Sequence, residues 1–302
     1  MQVGDANPGV REFLRDRVAR RLDGLPPAER RVAEYIRDNL NSITFATATE
    51  IGETTGTSDA TVVRTAKALG YAGLPDLKRA AGREVGMLTE PSVRLRSRIE
   101  ESGNDTTTLL DHVFYEGVER LVETRRLLSE AALDAAVTAL AEAREVVGYG
   151  VGPSAMPVSY LTLRLGRLGR RARAMSATGF CLADELLGLR AEDVIVLYAP
   201  GRLLRDMDVL LTHAEAVGAR TILVSDALTD VLADRVQITL PAVDSASGLT
   251  QEGLSSMLVT DCLTLGVARR DAARATATSE LLTSLRTRVA PQDNEPEPRR
   301  RP

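Results

Sequence analysis

Residues 47–69, TATEIGETTGTSDATVVRTAKAL, have the residue types and spacing of a recognition motif. Thr47 and Glu50 have the spacing of a capping box, in which the hydroxyl and the carboxylate satisfy free amides at a helix start. Gly56 can adopt the left-handed conformation of a tight turn, and Ser58 is a good N-cap for a second helix. The sequence therefore predicts two short helices around a tight turn.

The second helix is expected to have one buried and one exposed face, because successive residues are about 100° apart. The buried side holds Val62, Val63, Ala66 and Leu69. The exposed side is small near its N-terminal end and cationic beyond it, and holds Ala60, Thr61, Arg64, Lys67 and Ala68. Such a face can enter the major groove of DNA, where Arg or Lys reaches a guanine edge or a phosphate. Periodicity alone also fits an ordinary surface helix.

A longer sequence signature favours a DNA-binding helix over an ordinary surface helix. Ser58, Ala60, Thr61, Val62, Val63 and Arg64 are followed by Leu69, Gly70, Tyr71, Gly73, Leu77 and Lys78. This run resembles the S-x-A-T-V-x-R…L-G-[FY]-x-G…L-K signature of the RpiR family, bacterial transcription regulators that join a helix-turn-helix to a sugar-isomerase (SIS) domain. Gly52 departs from the family, which usually has Ala there, although both residues let helices cross closely. The resemblance implies a double-stranded DNA operator as partner.

The charge balance restricts how the chain can bind DNA. A net charge of −4 over 302 residues gives no overall basic field, so DNA contacts must come from a local patch. The two lysines of the chain, Lys67 and Lys78, both lie in or just after the second helix. We predict salt-sensitive DNA contacts by Ser58, Ala60, Thr61, Arg64, Lys67, Lys78 and Arg79.

Composition excludes several other classes of protein. The 44% hydrophobic content supports real cores, and the length suggests two domains. No stretch has the pattern of a membrane span or a signal peptide, so we expect a cytoplasmic protein. Two cysteines and two isolated histidines, His112 and His213, do not have the spacing of a metal site. We expect no cofactor and no metal.

Helical periodicity dominates the first half of the chain. An all-α helix-turn-helix domain is predicted for 1–86, a helical linker for 87–130 and a disordered tail for 291–302, where Pro and charge prevent packing. The predicted helices outside the recognition motif are 10–22, 26–40, 75–85, 106–128 and 131–143.

From residue 145 onward, strands alternate with helices, which predicts a parallel sheet covered on both faces. This predicts a three-layer α/β domain for 131–290, and the family resemblance implies that it is of the SIS, flavodoxin-like type. The predicted strands are 146–149, 172–174, 194–198, 221–224 and 236–240. The predicted helices are 153–168, 182–187, 204–217, 228–233, 254–267 and 280–289.

The first strand-to-helix turn is rich in glycine. Gly150 and Gly152 would let a ligand phosphate approach the backbone, Ser154 adds a hydroxyl, and the helix start offers free amides. Such turns also occur for packing reasons. Gly150, Gly152 and Ala155 fit a dinucleotide fingerprint as well, with Arg171 or Arg173 near a 2′-phosphate. The run V-V-G-Y-G-V-G-P-S-A, followed by L-G-R-L-G-R-R-A, instead resembles the opening of an SIS domain.

The loop after the third strand departs from the SIS pattern. SIS domains that hold sugar phosphates usually have S-x-S-G-x-T there, whereas this chain has Y-A-P-G-R-L at 198–203. Three alternatives remain open: Arg202 or Arg205 binds an anion by charge, Tyr198 shapes a pocket for a more apolar ligand, or the domain only dimerises. The predicted ligand-binding residues are Gly150, Gly152, Ser154, Tyr198, Gly201, Arg202 and Glu252.

Proton transfer requires a titratable group within hydrogen-bond reach of its target. His213 is expected on an outer helix face, and Glu252 is a single carboxylate at a helix start. We therefore expect no catalysis, and predict a homodimeric or tetrameric regulator with a small-molecule effector, such as a sugar phosphate or another anion. A sugar-phosphate isomerase and an NADP-binding enzyme are the alternatives.

Overall fold

In a computed structural model of the protein, the described residues are 13–88, 91–103, 105–199, 201, 203–247 and 253–289. The N-terminal part is built from short helices around one apolar core, to which Val32, Ile36, Ile51, Val62 and Leu77 contribute. These helices are α1 (Leu14–Arg21), α2 (Pro27–Asp38), α3 (Leu40–Phe45), α4 (Ala48–Thr55), α5 (Asp59–Ala68) and α6 (Leu74–Leu88). The helix α3 was not predicted: residue 40 was expected to end the helix that is now α2, but it begins α3.

The predicted helix pair with its tight turn is confirmed as α4 and α5. Both bonds of the capping box are present: the Thr47 amide donates to the Glu50 carboxylate (2.7 Å) and the Glu50 amide donates to Thr47 Oγ1 (3.2 Å). Gly56 ends α4 with φ +63°, a conformation that a Cβ would disfavour. The Ser58 hydroxyl accepts from the Thr61 amide and caps α5.

Three further helices lead to the sheet: α7 (Pro91–Glu101), α8 (Thr106–Leu127) and α9 (Glu130–Glu142). Asp105 starts α8 by accepting from the amides of Thr107 and Thr108. A hydrogen bond from the Thr108 hydroxyl lowers the pKa of Asp105, so the cap stays ionised. The region predicted as a helical linker is therefore mostly helix, with α8 as its longest element.

The predicted parallel sheet is confirmed. Its strands are β1 (Val146–Tyr149), β2 (Ala172–Met175), β3 (Val194–Tyr198), β4 (Arg220–Ser225) and β5 (Ile238–Pro241). All neighbours pair in parallel, in the order β2-β1-β3-β4-β5. The strands β1 and β3 are buried at every position, which explains why they read as continuous apolar runs.

Helices cover both faces of the sheet and give the predicted three layers. The remaining helices are α10 (Ala155–Arg167), α11 (Phe180–Leu186), α12 (Arg205–Val217), α13 (Leu254–Arg270) and α14 (Ala272–Val289). One face packs against α9, α10 and α13. The other packs against α11 and α12. The proposed domain limits at 86, 130 and 290 stay predictions.

Two predicted helices were misplaced. Residues 228–233 form turns, although Leu228 and Leu232 are buried and the Leu232 amide donates to the Leu228 carbonyl. The last helix begins at Ala272, well before the predicted residue 280. Residues 10–12 of the first predicted helix and the tail 291–302 lie outside the described residues.

Within the described ranges, no helix combines the length and the apolar character needed to cross a membrane.

Tyr198 ends β3 inside the core. Its side chain is 1% exposed, and its hydroxyl lies 2.6 Å from Thr260 Oγ1 on α13. Burial raises the pKa of Tyr198, so the phenol stays neutral.

The Tyr198→Phe substitution should lower the free energy of unfolding by about 1 kcal/mol, because it removes a buried hydrogen bond without leaving a cavity. Urea unfolding would measure this. Tyr160→Phe is the matched control: the Tyr160 hydroxyl bonds Asp261 in a half-buried position that water can reach, so its loss should cost less. Equal effects of the two substitutions would contradict the buried role of Tyr198.

Candidate nucleic-acid interface and effector site

The outer face of α5 is small at its start and cationic further along. Ala60 and Lys67 are exposed, and the Arg64 side chain is 63% exposed. Val62 and Ala66 on the opposite side are fully buried in the core. The predicted exposed and buried sides thus agree with the structure at these positions.

Thr61 is a correction to the predicted exposed face. It is only 6% exposed and is one of the buried residues of α5. Its hydroxyl lies 3.0 Å from Ser58 Oγ and accepts from the Arg64 guanidinium at 3.1 Å. Thr61 therefore orients Ser58 and Arg64 and is not itself accessible to DNA.

Acidic groups near α5 are tied to neighbours. Asp59 Oδ2 accepts from the Thr49 hydroxyl at 2.9 Å. Arg64 Nε lies 3.8 Å from Glu29 of α2. A loose ion pair on an exposed Arg is weak and leaves the guanidinium available for another partner.

Two arginines beside the motif were missed by sequence reasoning. Arg21 donates to the Ala68 carbonyl at 2.7 Å, at the C-terminal end of α5. Arg31 donates to the Thr55 carbonyl at 3.4 Å, at the end of α4. Cations at helix C-termini are favoured by the helix dipole, but only the fold brings these two beside the turn.

Lys78 and Arg79 are the main correction. Both were predicted to contact the DNA backbone, yet they are 3% and 8% exposed. α6 packs on α8, so Lys78 Nζ meets Glu119 at 3.4 Å. Arg79 is surrounded by carboxylates of Asp76 (2.9 Å), Glu123 (3.3 Å) and Asp226 (3.6 Å). Both cations therefore form ion pairs inside the protein and are not exposed to contact DNA.

Glu123 is shared by two arginines. Arg126 donates to it at 2.7 Å and 2.8 Å, and Arg79 at 3.3 Å. The hydrogen bond from Arg126 lowers the pKa of Glu123, and the charge of Arg79 adds to the effect. Because Asp226 directly follows β4, the cluster joins α6 and α8 to the sheet.

A second set of contacts fixes α8 to the segment after β5. Glu116 accepts from the hydroxyls of Ser245 (2.6 Å) and Ser247 (2.7 Å). Arg120 donates to the Val243 carbonyl at 3.1 Å. On α6, Gly82 lies so close to the Ala246 backbone that a Cβ would not fit.

The two predicted effector loops meet at one edge of the sheet. β1 and β3 are neighbours, and Tyr149 pairs with Leu197, so the loops that follow these strands start side by side. Ligands of open parallel sheets bind at the carboxyl ends of strands, where the strand order reverses. Gly152 and Gly201 are exposed there.

The glycine-rich turn closes on itself. Gly152 has φ +61°, and a Cβ on Gly150 would lie 2.5 Å from the Ser154 carbonyl oxygen. Gly150 thus has a packing reason of its own, while Ser154 is half-buried at the start of α10. Its role in ligand binding stays a prediction.

Tyr198 was predicted to bind the ligand, and in one alternative to shape its pocket. The structure contradicts this, because the Tyr198 side chain is buried in the core and its hydroxyl is bonded to Thr260 of α13. Arg202 and Glu252 lie outside the described residues. Tyr149 was not among the predicted site residues, although it stands between the glycines of the turn. It is fully buried, and its hydroxyl has no hydrogen-bond partner in the part of the chain that the structure describes. Burial raises the pKa of Tyr149 to about 12.

Comparison with known proteins agrees with this geometry. Residues 14–85 match the helix-turn-helix domain of the rpiR family. The HTH-type transcriptional regulator YfhH of Escherichia coli is 22% identical over 261 residues, which cover 84% of this chain and 92% of that protein.

Two solved structures share the fold. The sugar isomerase domain of an RpiR transcription factor from Sphaerobacter thermophilus is 27% identical, with a TM-score of 0.55. The match covers 58% of this chain and 98% of that structure's chain. The Vibrio vulnificus NanR protein complexed with ManNAc-6P is 19% identical, with a TM-score of 0.56. The match covers 92% of this chain and 99% of the NanR chain.

Replacing Arg79 by Ala should lower the free energy of unfolding by about 3 kcal/mol, because Asp76 and Asp226 lose their ion pair with it and Glu123 keeps only Arg126. Arg64→Ala, on the exposed face, should change it by no more than about 0.5 kcal/mol. Urea unfolding of both variants measures the contrast. An Arg79→Ala protein of normal stability would refute the structural role of this residue.

Proposed function

We propose that this chain, whose residues 14–85 match the helix-turn-helix domain of the rpiR family, is a homo-oligomeric, cytoplasmic transcription regulator that binds double-stranded DNA through α5. The exposed face of α5 carries this proposal. Ala60 lets the helix approach the groove closely, and Arg64 and Lys67 supply the cations. Ser58 lies at the N-terminal end, where recognition helices contact base edges.

The effector is proposed to bind where the loops after β1 and β3 meet. Gly152, Ser154 and Gly201 lie on that edge, and the positive end of the α10 helix dipole favours an anion. The NanR protein of similar fold binds ManNAc-6P, which supports a sugar phosphate or a related anion and a role in carbohydrate metabolism. Since the usual hydroxyl loop is missing, an arginine such as Arg205, exposed at the start of α12, would supply the charge.

Catalysis is not part of the proposal. His213 Nε2 is bonded to the Leu186 carbonyl, on the α11 and α12 face of the sheet. A nicotinamide enzyme is disfavoured because Arg173, one of the two arginines considered for a 2′-phosphate, already pairs with Glu145 and the Glu185 carbonyl. The relative YfhH is named a transcriptional regulator, which agrees with a non-enzymatic role.

Coupling between effector and DNA would run through α8. Asp226 follows β4 and Val243 follows β5, so both lie at the carboxyl edge of the sheet where the effector is proposed to bind. Arg79 on α6 pairs with Asp226, and Arg120 on α8 donates to the Val243 carbonyl. An effector that prefers one position of these segments would shift the DNA-binding helices accordingly.

Oligomerisation is supported by an apolar stripe on α8. Leu110, Phe114, Val118 and Val122 recur every four residues and are 52%, 69%, 60% and 64% exposed. Residues at this spacing share one helix face. A continuous exposed apolar face marks an interface, and a second copy of the same helix gives a closed, self-complementary dimer. A tetramer would use further surfaces of the sheet domain.

The function is tested by gel retardation of DNA from upstream of the gene, over a range of salt concentrations. A regulator retards this DNA and loses affinity as salt rises. The same preparation should neither interconvert aldose and ketose phosphates nor change NADPH fluorescence. Isomerase turnover or NADPH binding, without DNA retardation, would replace the proposal by one of the two enzymatic alternatives.

Arg64→Ala should reduce discrimination between the upstream fragment and a scrambled fragment of equal length by about 1 to 3 kcal/mol, because a bidentate contact to guanine would be lost. Lys67→Ala is the matched variant and should weaken binding to both fragments equally, as expected of a phosphate contact. Retardation titrations on the two fragments measure both effects. Uniform weakening by Arg64→Ala would show that Arg64 also contacts phosphate.

Phe114→Glu should convert the oligomer to a monomer, because it places a charge in the centre of the apolar stripe. Sedimentation equilibrium measures the mass. Asp111→Lys, one turn away on the same helix and on a polar position, is the control and should leave the mass unchanged. An unaltered oligomer for Phe114→Glu would place the interface elsewhere.

A further inference from the structure

A cleft of about 340 Å³ lies between the DNA-binding helices and α8, away from the effector loops. The end of α3, the start of α4, the first half of α8 and the segment after β5 form its walls. Its volume falls in the usual range for small-molecule sites.

The charged groups of this cleft are acidic. Glu50, Asp111 and Glu116 line it, while no Lys or Arg does so among the described residues. Glu116 already accepts hydrogen bonds from the hydroxyls of Ser245 and Ser247. Asp111 has no hydrogen bond or ion pair within the described ranges, and it is exposed. Glu50 uses Oε2 for its capping box, which leaves Oε1 at 3.9 Å from His112 Nε2.

The hydroxyl groups of the cleft have already used their hydrogens. Each donates at 2.7 to 2.9 Å to a protein oxygen and offers a ligand only its lone pairs. The donors are Thr44, Thr47, Thr108 and Ser247, and their acceptors are Asn41, Glu50, Asp105 and Glu116. The walls are therefore rich in acceptors and suit a ligand with several donors.

Two aromatic rings complete the site. Phe45 and Tyr115 line the cleft from α3 and α8. Burial raises the pKa of Tyr115 to about 12, with Glu119 adding to the effect, so its ring is a neutral phenol. The face of such a ring attracts a cation.

We propose that this cleft binds a small organic ammonium ion, with its N–H donors directed to Glu50 and Asp111 and its body against Phe45 and Tyr115. An anionic ligand is excluded by the same carboxylates, so the site differs in charge preference from the proposed effector site. The proposal is independent of DNA binding, because the bound ion is detected directly.

Calorimetric titration of the full chain tests it with three probes: tyramine, glucosamine and 4-amino-1-butanol. Each is compared with its N-acetyl derivative, which keeps the body and removes the charge. At least one ammonium probe should bind, and its acetylated form should bind at least about tenfold more weakly.

Glu50→Gln and Asp111→Asn should each weaken that probe by about tenfold. Gln also fits a capping box, so Glu50→Gln keeps the start of α4 intact. Glu53→Gln, exposed on the same helix and outside the cleft, is the control and should bind as the wild type does. Each variant is first shown to melt at the wild-type temperature.

Three results would overturn the proposal: no ammonium probe binds, the acetylated forms bind equally well, or neither carboxylate variant weakens binding.

Discussion

The burial of Arg79 is the constraint on which the rest of the structure depends. A guanidinium that is 8% exposed must be compensated by carboxylates, since an unpaired buried charge is very costly. Its partners come from α6, α8 and the end of β4, namely Asp76, Glu123 and Asp226. One side chain thus joins the DNA-binding helices, the connecting helix and the sheet. Arg120, one turn before Glu123 on α8, and Glu116, two turns before it, add further contacts with the segment after β5.

This arrangement limits the surface that is left for DNA. With Lys78 and Arg79 committed to α8, the cations of the motif that remain accessible are Arg64 and Lys67. On a chain of net charge −4, so small a patch gives little affinity by itself. Two copies held in a fixed relation would together supply the DNA affinity that one copy lacks. The exposed apolar stripe lies on α8, the same helix that fixes each copy to its sheet domain. Oligomerisation and specificity are then linked properties.

Local signals in the sequence were sufficient for most of the fold. The capping box at Thr47 and Glu50, the turn at Gly56 and the apolar runs of β1 and β3 each depend on neighbouring residues, and each was placed correctly. The errors have a different physical origin. Whether Lys78 is exposed depends on Glu119, and whether Tyr198 lines a pocket depends on Thr260, partners far along the chain that no local pattern reveals. Thr61 was misplaced because helical periodicity does not show that α5 is covered on a wide face.

The central claim is that α5 is presented in two copies to DNA by a rigid connection through α8. Selection of duplexes from a random pool by the full-length protein tests it most directly, because it requires no knowledge of the operator. The account predicts enrichment of an inverted repeat, with half-site centres separated by one helical turn of about 34 to 36 Å or a multiple of it. Recovery of single half-sites, or of no common sequence, would contradict it.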